Sequence, residues 1–170
     1  AEIRRAFLDH LVIFFRDQPL TSAEHVAFAR RFGDLEVHPF LASNTGTPEL
    51  VRFEKTAEVA GYENSWHHDV TWRAIPSMGA ILHGIRVPAV GGDTLFADMA
   101  AAYDDLSFDE GAEIDGLYAV HDFAPTFGAL LDTNQMAEMR ARFPEVEHPV
   151  VRTHPETGRR TLFVNAAFTT

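Results

Sequence analysis

Two imidazoles and a carboxylate crowd into one short run, Ser65-Trp66-His67-His68-Asp69-Val70-Thr71-Trp72. Trp, Val and Thr favour a pleated, half-buried surface, so the run reads as a strand. Successive strand side chains point to opposite faces, which puts His67 and Asp69 on one face and His68 on the other. An imidazole nitrogen and a carboxylate oxygen presented this way can reach one metal ion. That is two thirds of the two-histidine, one-carboxylate facial triad, which binds non-haem Fe(II) and leaves positions open for small ligands. The same residues could form a buried His–Asp hydrogen bond with no metal, and the octapeptide alone leaves both readings open.

The rest of the chain must position this run. Residues 2–10 read as a short helix with Ile3 and Phe7 inward, and Leu11–Phe15 as a fully buried strand. Thr21 caps a helix reaching about Arg31, Glu24 completes a capping box, and Gly33 ends the helix. His25, Phe28, Ala29 and Phe32 form its apolar face. Residues 35–41 are strand-like, 49–53 a strand, and 54–64 a surface loop leading into the central run. Met78–Ile85 reads as a second buried strand, residues 88–92 as a turn, and Asp93–Ala97 as a third strand. Helices are expected over 98–106 and, after Ser107, over 108–116, with a helical stretch at 132–142 and a strand-like stretch at 117–123. Residues 148–153 and 160–165 flank the turn formers 154–159 as a hairpin. Many strands with a few marginal helices predict an α+β, mainly β chain, a double-sheet jelly roll rather than a parallel α/β sheet.

Composition narrows the function. The chain has 170 residues, 46% hydrophobic and 23% charged, which suits one globular domain with a substantial core. A net charge of −11 disfavours nucleic acid and anionic membranes as partners, but not a small anionic substrate in a locally basic pocket. With no cysteine, disulfides, thiolate metal sites and a cysteine nucleophile are excluded, leaving nine histidines and the carboxylates as donors. No apolar run is long enough to cross a bilayer as a helix. The N-terminus has neither an initiator Met nor a signal pattern, so the expectation is a cytoplasmic protein whose chain begins inside a longer polypeptide. The apolar segments fit a surface for self-association as well as they fit the chain's own interior.

Several ordered motifs now add up. Trp66-His67-His68-Asp69-Val70-Thr71-Trp72, Pro76-Ser77-Met78-Gly79-Ala80-Ile81-Leu82 and Gly91-Gly92-Asp93-Thr94-Leu95-Phe96 resemble the taurine dioxygenase family of Fe(II)- and 2-oxoglutarate-dependent oxygenases. The likeness extends to Ile13–Gln18, Arg31-Phe32-Gly33, His148–Pro155 and Leu162–Asn165, nearly the whole chain. The resemblance implies a double-stranded β-helix, the cupin-like jelly roll, with flanking helices. It makes His67 and Asp69 the first two iron ligands and Thr94 the residue whose hydroxyl bonds a carboxylate of 2-oxoglutarate. The Gly91-Gly92 turn ahead of Thr94 suits that role. It also marks His38, Phe127 and Phe168 as lining the site for the primary substrate.

Three departures qualify the likeness. Leu41 stands where taurine-like members have a tyrosine, and Glu63 where they have a polar amide. Leucine donates no hydrogen bond to a sulfonate and glutamate repels one, which argues against taurine itself; a longer alkyl sulfate or a different carboxylate-bearing substrate would tolerate Leu41 better. The family's third iron ligand, a late histidine, and the arginine that clamps 2-oxoglutarate have no counterpart up to Thr170. The expectation is that the chain is the N-terminal part of a longer enzyme, inactive alone, with the final jelly-roll strands beyond it. The implied reaction joins O2, 2-oxoglutarate and a small sulfonate or alkyl sulfate, hydroxylates the substrate, and releases succinate and CO2. The alternatives are a cupin-like metal enzyme that uses no 2-oxoglutarate, and a degenerate family member acting only as a binding module.

Overall fold

The computed structural model describes residues 1–41, 43–44, 46–56 and 65–170. In chain order the helices are α1 (Glu2–His10), α2 (Ser22–Ala29), α3 (Met99–Asp104), α4 (Phe108–Ile114), α5 (Ala124–Phe127) and α6 (Thr133–Arg142). The strands are β1 (Ser43–Asn44), β2 (Thr47–Val51), β3 (Tyr118–His121), β4 (Val146–Pro149), β5 (Val151–Thr153) and β6 (Arg160–Leu162). Contacts group into two compact units. One holds Ala1–Phe15, Trp66–Pro76 and Asp93–Thr170; the other holds Arg16–Ser65 and Ser77–Gly92.

In the smaller unit, α2 starts on the expected capping box. The Glu24 backbone N–H donates to Thr21 Oγ1, and Glu24 Oε2 accepts from the Thr21 N–H at 2.9 Å. Orphan donors of the first turn are thereby satisfied from inside the chain. The helix buries Val26 rather than the expected His25 face, and Phe28 meets Phe32 edge-on at 5.4 Å. β1 and β2 pair antiparallel.

The larger unit is built around β3 and the long run 146–153. β3 pairs antiparallel with β4, Tyr118 opposite Pro149 and His121 opposite Val146. At Val150 the run changes partner. The Val150 N–H donates to the Leu117 carbonyl (2.9 Å), and its own carbonyl accepts from Phe163 (2.8 Å). Beyond it, β5 pairs with β6, Val151 opposite Leu162 and Thr153 opposite Arg160. On its other side β3 receives the C-terminal turn: Asp122 N–H donates to Phe168 carbonyl and Thr170 N–H to Val120 carbonyl. α4 begins after Ser107, as expected, and both α4 and α6 begin on capping boxes, at Ser107 and Asp132. The core gathers Trp72, Phe123, Phe127 and Phe168, with Trp72 edge-on to Phe123 and Phe143.

Five expected strands do not form. Leu11–Phe15, residues 35–41, the central run 66–72, Met78–Ile85 and Asp93–Ala97 carry no strand pairing. The segments expected to be fully buried are largely exposed: Phe14 is 67% accessible, Leu82 74% and Leu95 71%. Apolar content marks a segment for burial, but a strand also needs a neighbour for every second N–H and C=O. No such neighbour stands beside these segments among the described residues. Among the described residues the sheets are three antiparallel pairs.

Candidate metal centre and the network behind it

The central run is a turn rather than a strand. Residues 66–68 are irregular, and Asp69–Trp72 form a turn closed by the Arg73 N–H donating to the Val70 carbonyl at 3.1 Å. Val70 takes φ 52°, a left-handed conformation that is costly for a β-branched residue. The turn replaces the two-residue alternation, yet it brings the same pair together. His67 Nε2 lies 3.3 Å from Asp69 Oδ1, with side chains 37% and 68% exposed. Two donors bound at right angles to one ion, each about 2.1 Å from it, stand about 3 Å apart. The imidazole and carboxylate thus fit two adjacent positions on a divalent ion that takes N and O ligands. Among the described residues no third His, Asp or Glu joins them as a metal-ligating group.

The other expected site residues fall as follows. Thr94 is exposed, and its segment is irregular rather than a strand. The turn before it is present, with Gly91 at φ 81° and Gly92 at φ 73°, values that L side chains rarely adopt. Phe127 and Phe168 are buried and stack on each other at 6.0 Å in the interior of the larger unit. In the smaller unit His38 is half-buried, and its Nδ1 accepts from the backbone N–H groups of Phe40 (3.3 Å) and Leu41 (3.2 Å). Leu41 is half-buried. Glu63 lies outside the described residues.

Behind the His67–Asp69 pair lies a buried polar cluster. Thr71 and His121 are completely buried, with His121 Nδ1 2.9 Å from Thr71 Oγ1. Asn165 Nδ2 donates to the same hydroxyl oxygen at 3.1 Å. Asn165 also ties the C-terminal turn: its Oδ1 accepts from the backbone N–H groups of Ala167 (3.2 Å) and Phe168 (3.1 Å). His148, buried beside His121 with ring centroids 5.1 Å apart, donates from Nε2 to the Arg73 carbonyl. Phe163 fills the middle, 5.3 Å from His68, 5.6 Å from His121 and 5.3 Å from His148.

Burial holds His121 neutral. Loss of hydration first, then the neighbouring His148, pushes its pKa from 6.5 to about 4, against an opposing pull from the Phe163 backbone. His68 is lowered too, by desolvation where it packs on Phe163, although its outer edge is exposed and the Asp69 carboxylate opposes the shift. A sequence signal for this cluster existed in β3, where alternation from Ala119 places His121 on the inward face. Thr71 carried none, because its burial follows from the turn. His154, another unassigned histidine, caps its own hairpin loop by accepting from the Glu156 and Thr157 N–H groups.

Comparison with known proteins places the chain in a family. The model of the taurine catabolism dioxygenase TauD, TfdA family matches residues 1–170. The chain is 36% identical to the alpha-ketoglutarate-dependent 2,4-dichlorophenoxyacetate dioxygenase of Cupriavidus pinatubonensis, over 97% of this chain and 63% of that protein. It is 36% identical to the alpha-ketoglutarate-dependent sulfate ester dioxygenase of Pseudomonas putida, over 94% of this chain and 55% of that protein. A crystal structure of a taurine dioxygenase from Burkholderia xenovorans superposes with a TM-score of 0.78 at 37% identity, covering 99% of this chain and 54% of that one. The chain therefore spans between half and two thirds of the length of these relatives. With an adjacent imidazole and carboxylate at its centre and a family match along its whole length, the chain belongs to the taurine catabolism dioxygenase TauD, TfdA family.

Proposed function

We propose that the full-length protein is an Fe(II)- and 2-oxoglutarate-dependent dioxygenase that hydroxylates a small organic anion, a sulfonate or alkyl sulfate. The observation that carries this reading is the 3.3 Å approach of His67 Nε2 to Asp69 Oδ1 within a chain of this family. The two compact units are then parts of one jelly-roll oxygenase domain, working in the cytoplasm.

His67 and Asp69 hold the iron, the imidazole as a neutral donor and the carboxylate as the anionic one. An Fe(II) ion held there would activate O2, which is the oxidant: one oxygen atom would go to the substrate as hydroxyl and the other to succinate as 2-oxoglutarate loses CO2. Thr94 orients the cosubstrate by donating its hydroxyl proton to a carboxylate oxygen. His38 is the candidate for the substrate's anionic group, and Phe127 and Phe168, which pack on each other in the interior of the larger unit, are the candidates for its apolar part. Leu41 donates no hydrogen bond to a sulfonate, so a longer alkyl sulfate or a carboxylate-bearing substrate is favoured over taurine. Hydroxylation at the carbon bearing the sulfate oxygen leaves a hemiacetal-like ester that breaks down to an aldehyde and sulfate.

The test is succinate release from 2-oxoglutarate by the full-length protein with Fe(II), ascorbate and a panel of alkyl sulfates and sulfonates. Turnover should require Fe(II) and fall by roughly 100-fold or more in His67→Ala and in Asp69→Ala, since loss of a ligand should cost at least as much as loss of a ligand's supporting partner. Unchanged succinate release by either variant would refute the assignment.

A further inference from the structure

His67 and Asp69 are solvent-exposed side chains on an irregular segment, a poor foundation for a metal site. A ligand pair holds its geometry only if neighbouring groups restrict its rotamers and backbone. Immediately after Asp69 come Val70, Thr71 and Trp72, and all three are buried. The chain thus passes from exposed to enclosed within one residue. Of the three, Val70 and Trp72 are held by packing, whereas Thr71 presents a hydroxyl to two partners from distant parts of the chain.

Those partners come from elements that are themselves fixed. His121 ends β3, where it is paired with Val146 of β4 on one side and bridged to Thr169 on the other. Asn165 closes the C-terminal turn through two backbone N–H groups and its own N–H, which donates to Thr169 Oγ1 at 2.9 Å. Asn165 occupies one acceptor site of the Thr71 hydroxyl, leaving its proton free to go to His121 Nδ1. A second fastening lies two residues on: His148, from β4, holds the Arg73 carbonyl at 2.9 Å. The left-handed Val70 needs such over-determination, since its conformation costs of order 1–3 kcal/mol if left unsupported.

We propose that Thr71 is the positioning residue of the metal centre: fastened by His121 and Asn165, its hydroxyl fixes the turn that makes the His67 and Asp69 donors converge on one ion. This rests on the assignment of those two residues as ligands. Thr71 touches neither substrate nor metal in this scheme and acts only through the backbone it anchors. Thr71→Val keeps shape and branching but removes the hydroxyl, leaving Asn165 Nδ2 and His121 Nδ1 without their shared partner.

The experiment is an anaerobic Co(II) titration of the full-length protein, followed by its visible absorption spectrum, with unfolding midpoints measured in parallel. Thr71→Val should weaken Co(II) binding by about 10- to 100-fold, the usual cost of losing a ligand's supporting partner, and should alter the spectrum at saturation. Thr71→Ser, which keeps the hydroxyl, should restore both. Asn165→Ala approaches the same hydroxyl from its other side and serves if Thr71→Val does not fold. Wild-type affinity and spectrum in a folded Thr71→Val or Asn165→Ala protein, even one with a lowered unfolding midpoint, would overturn the proposal. The ligand assignment fails separately: it falls if His67→Ala and Asp69→Ala bind Co(II) like the wild type. If those two lose Co(II) while Thr71→Val retains it, only the positioning role is refuted.

Discussion

At the residue scale, one buried histidine links the site to acidity. His121 is completely enclosed, and its pKa is pushed from 6.5 to about 4 by burial and by His148, with His68 and Arg152 adding to the same effect. Its folded value lies below its unfolded one, so the unfolded chain takes up the proton first as pH falls. The stabilisation is therefore complete above about pH 6.5 and is lost as pH drops toward 4, by about 3 kcal/mol in all. His68, lowered as well, adds in the same direction. Urea midpoints should consequently fall between pH 7 and pH 4.5, and His121→Asn should flatten that profile. An identical slope in the variant would refute the account. The central pair belongs to this scale too: the residue types marked His67 and Asp69 as neighbours in chemistry, and side-chain geometry places them 3.3 Å apart.

At the element scale, helices follow their local signals closely. Thr21, Ser107 and Asp132 each accept from the backbone of the third residue on, and Glu24, Glu110 and Gln135 reciprocate. Each box is complete within four residues, so no tertiary contact is needed to specify it. Thr21→Ala, Ser107→Ala and Asp132→Ala should each lower stability by about 1 kcal/mol, read from denaturant midpoints. Strands behave differently. β3 and the β5–β6 hairpin form within the expected stretches, whereas the strand expected over 148–153 starts at Val146 and divides at Val150 into β4 and β5, each with a partner in the same unit. Met78–Ile85 and Asp93–Ala97 have equally strong apolar runs and make no sheet. Pattern identifies a segment fit for burial, whereas pairing depends on which other backbone lies alongside.

At the scale of the whole molecule, the larger unit depends on one aromatic cluster. Trp72 is buried to 1% and packs edge-on against Phe123 at 6.1 Å and Phe143 at 5.0 Å, with the Arg73 guanidinium over the Phe143 ring. Trp72→Ala should cost about 3–5 kcal/mol, a large share of the about 5–15 kcal/mol that holds a typical domain folded. Near-ultraviolet circular dichroism and the urea midpoint would register it, and a change below about 1 kcal/mol would show that the cluster is not the core. Because Trp72 adjoins Thr71, the same packing that stabilises the unit also sets the floor beneath the candidate metal centre.

The amino-acid order alone determined the family, the helix starts other than that of α5, the hairpin around residues 154–159 and the identity of the two candidate ligands. Each of these resides in residue types a few positions apart, where covalent spacing leaves little freedom. The tertiary structure decided that residues 66–72 turn instead of extending, and that Thr71, His121 and Asn165 meet. It also decided that several apolar runs go unpaired. Those outcomes depend on contacts between distant segments, as Thr71 lies 50 positions from His121 and 94 from Asn165. Hydrophobic periodicity measures a segment's wish to leave water; it carries no information about which distant backbone will supply the hydrogen bonds that let it do so.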